Sequence, residues 1–491
     1  MSDTVRPRLS RGLRDLLPEQ MLVRQRMIDK IRGVYELYGF VPLATPAIEY
    51  LDVLSGSAAG EEAQASIFRV QNPEEEDLGL RFDLTVPLAR VVAQYRDLPR
   101  PFRRYQVASV WRADKPDPGR FREFTQFDLD SVGVVSELAD TEILAGICDT
   151  FEGLGIDAYH VRYSSRAILN TLLEFADIPQ EIDKDVFRVL DKLDKIGFEK
   201  VRKELTTGYV DDSGDPIRGM GLGSGQVDRI EAFLGLRAET RHEVIDQLRT
   251  LFRGIESADS ALREVEIISK HLYALGYGDD RIVLDPSIAR GLAYYTGPVF
   301  EAKLLDAPQF GSVFGGGRYD GLVMRFLGEA VPAVGASIGV DRLLAALVHL
   351  DKVSSAKCTA KVFVSRMDPS LDEEYLAMVY ELRRAGIPAE LYVGTQKRFG
   401  KQLKYADQQG VPIAILVGSN EKEQGTVTLK DMDIGRKKSA FLGNRDDWVA
   451  ARPGQREIRR SDLVPAVRAM LADIERGSEP ASPGGRSDDE L

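Results

Sequence analysis

The sequence predicts an α+β chain with more than one folded body, and three observations carry that prediction. Tyr105, Val107, Ser109 and Trp111, then Phe124, Gln126, Asp128 and Asp130, recur at every second position as strand residues do, and KPDPG between the two runs supplies a turn. From about Ala167 to Tyr277 the texture turns charged and helix-forming, with a Gly-rich break at RGMGLGSGQ. Beyond Asp351, strand-like and helix-like segments alternate at lengths that favour parallel pairing.

Taken in order, Met27, Ile31, Val34, Tyr35 and Tyr38 keep helical spacing, and Gly39 with Pro42 ends that helix before a strand. The hairpin within Pro101 to Gly133 follows and carries Arg103, Arg104, Arg112, Arg120 and Arg122. Each guanidinium is a permanently charged planar fork of donors, so the group suits a ligand with several phosphate oxygens, a triphosphate above all. A helix around Leu138 to Leu154 and a strand near Ala158 to Tyr163 extend the sheet. After the helical stretch, RIVLD, GPVFEAKL and VGASIGV return to it, with DRLLAALVHL as a helix behind.

The run Gly315, Gly316, Gly317 lacks the Lys and Ser/Thr of a phosphate loop and reads instead as a place where backbones approach closely. A linker near Asp351 to Thr359 leads to strand KVFVSR, helix DEEYLAMVYELRRAG, strand PAELYV, helix GKQLKYADQQG and strand PIAILVG, and a helix near Asp462 to Glu475 closes the folded part. The stretch Ile434 to Gln455 receives no element. From Arg476 onward the composition is that of a disordered tail.

Composition bounds the function without identifying it. The chain has 491 residues, 43% hydrophobic and 29% charged, as an ordinary globular protein does. Cys148 and Cys358 are too few for a disulfide framework or a Cys-based zinc site, and His160, His242, His271 and His349 show no ligand spacing. No signal peptide or membrane span is read, so the expected location is cytoplasmic. A net charge of −12 confines any nucleic-acid contact to local basic patches, of which Lys397, Arg398, Lys401 and Lys404 at helical spacing are one.

Four blocks in sequence carry a family resemblance. Phe102 to Gly133 resembles motif 2 of the class II aminoacyl-tRNA synthetases; LDPSIARGLAYYTGPVFEAKL and FGSVFGGGRYDGLV resemble the histidine-specific signatures of histidyl-tRNA synthetases; AVGASIGVDRLLAAL resembles their motif 3. RGLRDLLPEQ and YGFVPLATPAIEYLDVL are similar to the N-terminal segment and motif 1, LRFDLTVPLAR to the amino-acid-binding strand, and AGIPAELYVGTQKRFGKQLKYADQQGVPIAILVG to the anticodon-binding domain. The resemblance implies a predominantly antiparallel sheet flanked by helices, with a catalytic core over 1–166 and 278–350, a helical insertion over 167–277, a linker over 351–359, an anticodon-binding domain over 360–475 and a tail over 476–491.

It also implies a reaction: histidine is activated with ATP and passed to the 3′ end of tRNA(His) by a homodimer. On that reading Arg112 contacts the α-phosphate, Arg120 reaches the γ-phosphate, and Arg342 serves the terminal phosphates and lies against an adenine stacked on Phe124. Arg290 stands between substrate carboxylate and α-phosphate. Asp83, Thr85 and Gln126 match positions that hold the α-amino group; Asp130 and Tyr295, with neighbouring Tyr294, match positions around the imidazole of L-histidine. Mg2+ accompanies ATP, with phosphates as most of its ligands and no protein metal motif.

One position departs from the family pattern: Ala293 stands where the signature usually has an aspartate, which bears on pocket geometry and on the orientation of Arg290. A catalytically idle histidine-sensing paralogue, such as a regulatory subunit of ATP phosphoribosyltransferase, is the alternative. Such paralogues typically lose the ATP-contacting arginines and lack the anticodon domain, and this chain has both.

Overall fold

A computed structural model of the chain describes residues 5–55, 66–115, 121–211, 214–288, 291, 295–353, 357–396, 398–434 and 454–476. Its contacts divide it into one unit of Met1–Asp15 with Arg24–Val353, and another of Leu16–Val23 with Ser354–Leu491.

The first unit is built on an eight-stranded sheet. In chain order its strands are β1 (Val41–Pro42), β2 (Phe102–Trp111), β3 (Glu123–Val132), β4 (Tyr159–Ser165), β5 (Ile282–Leu284), β6 (Pro298–Leu304), β7 (Ser312–Arg318) and β8 (Ala333–Gly339). Across the sheet the order is β1-β2-β3-β8-β7-β6-β4-β5, parallel only at the two ends and antiparallel everywhere between. The alternating runs do form a hairpin, with Phe102 opposite Val132 and Trp111 opposite Glu123.

Strand β7 was not legible as a strand. FGSVFGGGR carries too few side chains to show a period of two, yet it pairs with β6 and β8 along its length. Two of the three glycines act as expected of them: a Cβ at Gly316 would lie 2.3 Å from the Gly335 carbonyl oxygen of β8 and one at Gly317 2.6 Å from the Pro298 carbonyl oxygen of β6, whereas, among the described residues, one at Gly315 would meet nothing within 4 Å. The segment LRFDLTVPLAR also differs from a strand reading. Only Leu78–Leu80 is extended, in a small sheet with Ile48–Tyr50 and Arg69–Val70, and the chain then enters a helix at Thr85–Gln94. Val86, Leu88 and Val92 are buried on that helix, and Leu88 and Val92 join a cluster with Tyr319, Val323 and Val331.

Helix Glu137–Gly153 packs against β8, burying Ile143, Leu144, Ile147 and Phe151, and is capped by the Ser136 hydroxyl, which accepts from the Leu138 N–H at 3.2 Å. The charged stretch after β4 is largely helical, with helices Arg166–Phe175, Asp183–Leu190, Leu193–Leu205, Ser224–Leu234, Arg241–Leu251 and Ala258–Ala274, plus a two-stranded hairpin, Gly208–Val210 with Pro216–Arg218, that the sequence reading did not anticipate.

The second unit has β9 (Val362–Val364), β10 (Ala389–Leu391), β11 (Ile413–Leu416), β12 (Thr426–Asp431) and β13 (Gln455–Arg459) in the order β10-β9-β11-β12-β13. The first three pair in parallel, as the strand–helix alternation predicts; β12 and β13 add antiparallel strands that went unread. Val362, Val364, Tyr375, Met378, Ile413, Ile415, Val427 and Leu429 form its core, covered by helices Asp372–Arg384 and Leu463–Arg476. Most of the unassigned stretch Ile434 to Gln455, and the tail from residue 477, lie outside the described residues.

Candidate active site

Strand β3 sets the site. Its period of two turns Gln126, Asp128 and Asp130 to one face. A cleft there is lined by Asp128 and Asp130 together with Thr85, Tyr295, Tyr319, Ser337 and backbone of Gly315, Gly316, Gly335 and Ala336. The glycines give the carboxylates their room, since a Cβ at Gly335 would come within 1.9 Å of Asp130 Oδ1.

Charge in this cleft is unevenly matched. The fully buried Arg104 places Nη2 2.8 Å from Asp130 Oδ2 and 3.9 Å from Asp128 Oδ2, and donates to the Leu84 carbonyl at 3.1 Å. The Tyr319 hydroxyl donates to the other Asp130 oxygen. Asp128 is less well served: its Oδ1 is buried with no hydrogen-bond partner among the described residues. Burial pushes the Asp128 carboxyl up to about 7, against the pull of Arg104 and with a further push from Asp130. Asp130 is also raised, by burial, with Arg104 and Tyr319 opposing.

Asp83 adds a third acid at the entrance to helix Thr85–Gln94, where its Oδ1 accepts from the Val86 N–H at 3.1 Å. Burial pushes it up to about 6, opposed by that hydrogen bond and by Arg112 and Arg104. Gln126 donates through Nε2 to the Ser337 hydroxyl at 2.8 Å, and its buried Oε1 has no hydrogen-bond partner among the described residues. Excess carboxylate charge beside unused acceptors is the environment a cationic ligand needs.

The arginine side lies at the turn end of the hairpin. Arg112 follows β2, donates through Nε to the Phe82 carbonyl at 3.1 Å, and holds its guanidinium carbon 5.2 Å from the centre of the Phe124 ring. Arg342 is an exposed residue in the first turn of helix Val340–His349 and donates to the Ser312 carbonyl at 2.7 Å. That helix leaves β8 at Gly339, the register partner of Gln126. The Tyr295 ring lies where a Cβ at Gly291 would be 2.5 Å from it and one at Gly317 2.8 Å.

The structure thus brings Thr85, Asp130 and Tyr295 into one cleft, ties Gln126 to its lining through Ser337, and sets Arg112 beside Phe124. Arg120, Arg290 and Tyr294, together with Ala293, lie outside the described residues. Sequence reasoning missed Asp128, Arg104 and Tyr319 as parts of the cleft. The first had a signal, because it sits between Gln126 and Asp130 at the same period of two. Arg104 stands in the sequence only as one of several hairpin arginines, and Tyr319 has no local pattern.

A largely antiparallel sheet with an arginine-bearing hairpin, an acidic cleft and a separate α/β unit defines the class, a class II aminoacyl-tRNA synthetase. A family model for histidyl-tRNA synthetase matches residues 12–343, and one for the anticodon binding domain matches residues 361–452. The chain is 44% identical over 489 residues to a histidine–tRNA ligase of Cereibacter sphaeroides, spanning 95% of this chain and 98% of that one. It is 45% identical over 481 residues to one of a Ruegeria species, spanning 94% and 95%.

A crystal structure of histidyl-tRNA synthetase from Nostoc superposes with a TM-score of 0.80 at 30% identity, over 95% of this chain and all of that one. A Bacillus halodurans protein described as an ATP phosphoribosyltransferase regulatory subunit/histidyl-tRNA synthetase superposes at 0.65 with 22% identity, over 80% of this chain and 95% of its own, which is likeness of fold alone. The chain belongs to the histidyl-tRNA synthetase family.

Proposed function

We propose that this chain is a histidine–tRNA ligase, forming histidyl-adenylate from histidine and ATP and transferring the histidyl group to the 3′ end of tRNA(His). The observation that carries the reading is the pairing of an acidic cleft at Asp83, Asp128 and Asp130 with Arg112 and Phe124 at its side, in a chain matched by the family model over residues 12–343.

In the first step a carboxylate oxygen of histidine bonds to the α-phosphorus as the bond to the pyrophosphate oxygen breaks. No protein nucleophile is required, so the work is orientation and stabilisation of charge moving between oxygens. Arg112 serves the α-phosphate and Phe124 stacks the adenine; Arg342 covers the other face and the terminal phosphates, with Arg120 at the γ-phosphate. Arg290 bridges the carboxylate and the α-phosphate. In the second step a terminal ribose hydroxyl attacks the acyl carbon, AMP leaves and the hydroxyl proton is released.

Asp83, Thr85 and Gln126 hold the α-ammonium, for which the free Gln126 Oε1 is a suitable acceptor. Asp130 and Tyr295, with Tyr294 adjacent, address the ring, and Asp128 joins them as a neighbouring buried acceptor. An amino acid without ring N–H groups would leave these atoms unpaired, a penalty on the order of 10⁴-fold in discrimination. Mg2+ would accompany ATP, with phosphate oxygens as its main ligands, and would neutralise phosphate charge; among the described residues no group of three or more His, Cys, Asp or Glu side chains is placed to hold a metal ion.

Residues 1–166 and 278–350 form the catalytic core in this account, 167–277 the insertion and 360–475 the anticodon-binding domain, with Lys397, Arg398, Lys401 and Lys404 offered to RNA, of which Lys397 lies outside the described residues. A homodimer through the helix and strand around motif 1, and a cytoplasmic site of action, complete the proposal; among the described residues no helix is long and apolar enough to cross a membrane. The idle-paralogue reading gains nothing from the site, where Arg112 is present beside Phe124. Charging of a tRNA(His) transcript with labelled histidine tests the proposal. ATP-dependent charging of that transcript, and none of a tRNA with another anticodon and acceptor end, is the expected result; absence of charging at micromolar enzyme overturns it.

A further inference from the structure

The N-terminal segment around Gly12–Arg14 has no part in the roles above, yet its polar contacts converge on residues next in sequence to the ATP-handling groups. Arg14 Nη2 donates to Asp341 Oδ1 at 2.8 Å, and the Arg14 guanidinium carbon sits 3.7 Å from the centre of the Phe121 ring. Asp341 turns its other oxygen to the backbone N–H of Thr125 at 2.7 Å. Arg24 donates to the Thr125 hydroxyl. Gly12, at φ 84°, offers its carbonyl to the Arg122 N–H at 2.9 Å, and Arg122 in turn offers its own carbonyl to the Arg112 N–H at 2.8 Å.

Asp341 immediately precedes Arg342, and Thr125 immediately follows Phe124. The Asp341 carboxylate therefore ties the start of the motif 3 helix to the start of β3, and these two elements carry the two sides of the proposed adenine slot. Arg14 neutralises that carboxylate and fixes its orientation while stacking on the motif 2 side at Phe121. The side chain of Asp341 is only 10% exposed, so its hydrogen bonds are made to Arg14 and the Thr125 N–H and little to water.

We propose that Arg14 is a positioning residue for ATP, acting through Asp341 and Thr125 to fix the separation of Phe124 and Arg342; the inference rests on the ligase reading above. Its contact is a partly exposed ion pair with a stacked face, worth a several-fold change and not an all-or-none loss. The loss falls on ATP and not on histidine, because none of the linked groups lines the acidic cleft.

The test is histidine-dependent ATP–pyrophosphate exchange by the full chain, measured for wild type, Arg14→Ala and Arg14→Lys, with thermal unfolding of each. Arg14→Ala should raise KM for ATP about fivefold, leave KM for histidine within about twofold, and shift Tm little. Arg14→Lys, which keeps the charge but not the planar stack, should recover part of the ATP affinity. An Arg14→Ala enzyme whose KM for ATP is within about twofold of wild type overturns the positioning role, as does an equal rise in both KM values or a fall in kcat alone. Those outcomes leave the ligase reading standing, whereas a wild-type chain without exchange removes the reading itself.

Discussion

Asp128 is the residue whose environment says most about the cleft. An unfolded aspartate ionises near 4, whereas burial raises this one to about 7 in the fold. The folded state therefore holds the proton more tightly than the unfolded state, and the cost of carrying the charge grows as pH rises from about 4 to about 7 and is complete above it. Replacing Asp128 by Asn removes that cost. Tm should rise by about 3 °C at pH 8 and the gain should vanish toward pH 4, while histidine-dependent exchange falls at least about tenfold. A stability gain that is the same at both pH values contradicts the electrostatic origin.

In the proposed site Asp83 joins Asp128 in making substrate binding depend on pH. Asp83 at about 6, proposed beside the α-ammonium, and Asp128 at about 7, proposed beside the ring, lose charge as pH falls from 8 to 6, and with it their attraction for an ammonium that stays protonated throughout and for the ring N–H groups. KM for histidine should rise by about tenfold over that interval in wild type and by much less in Asp128→Asn. Steady-state kinetics across the range decides it, and a flat wild-type KM contradicts the assignment of a cation to this cleft.

Among the elements, the adjacent strands β3, β8 and β7 leave little room at the cleft. At Gly335 a Cβ would meet Asp130 Oδ1 at 1.9 Å and the Leu129 carbonyl oxygen at 2.7 Å. Gly335→Ala must displace the carboxylate or part the strands, and exchange activity should fall by about a hundredfold. Gly225→Ala, where nothing lies within 4 Å on helix Ser224–Leu234, serves as the control and should leave activity unchanged. Comparable activity of the two variants counts against Gly335 as the floor of the cleft.

The elements also show what was legible in advance. The β2–β3 hairpin and the parallel strands of the second unit announce themselves because each residue's side chain reports its face. Strand β7 does not, since glycines have no side chain to report; β12, TVTLKD, is short and adjoins the stretch that receives no element. The pocket divides in the same way. Asp128 shares its strand period with Gln126 and Asp130, whereas Tyr319 reaches Asp130 from 189 residues away in sequence, and no local pattern announces such a meeting. Asp83 and Thr85 are proposed as ligand positions only through the family motif, because their placement at a helix entrance depends on the packing of the whole sheet edge.

At the scale of the molecule the two units carry separate cores, the second built on Val362, Tyr375, Ile413 and Leu429. A chain ending at Val353 should therefore keep adenylate formation within about tenfold while tRNA charging at limiting tRNA falls by two orders of magnitude or more. Unchanged charging by that truncated chain would assign the second unit another role. The acidic balance of the whole chain, −12, fits this division, since RNA attraction must then come from local basic faces such as Arg398, Lys401 and Lys404.

The central claim is that the acidic cleft and the arginine hairpin together activate histidine and no other amino acid. ATP–pyrophosphate exchange by the full chain, run with each of the twenty amino acids in turn, measures that directly. Exchange with histidine should run at least about a thousandfold above exchange with any other amino acid. Exchange supported by a different amino acid, or by none, would contradict it.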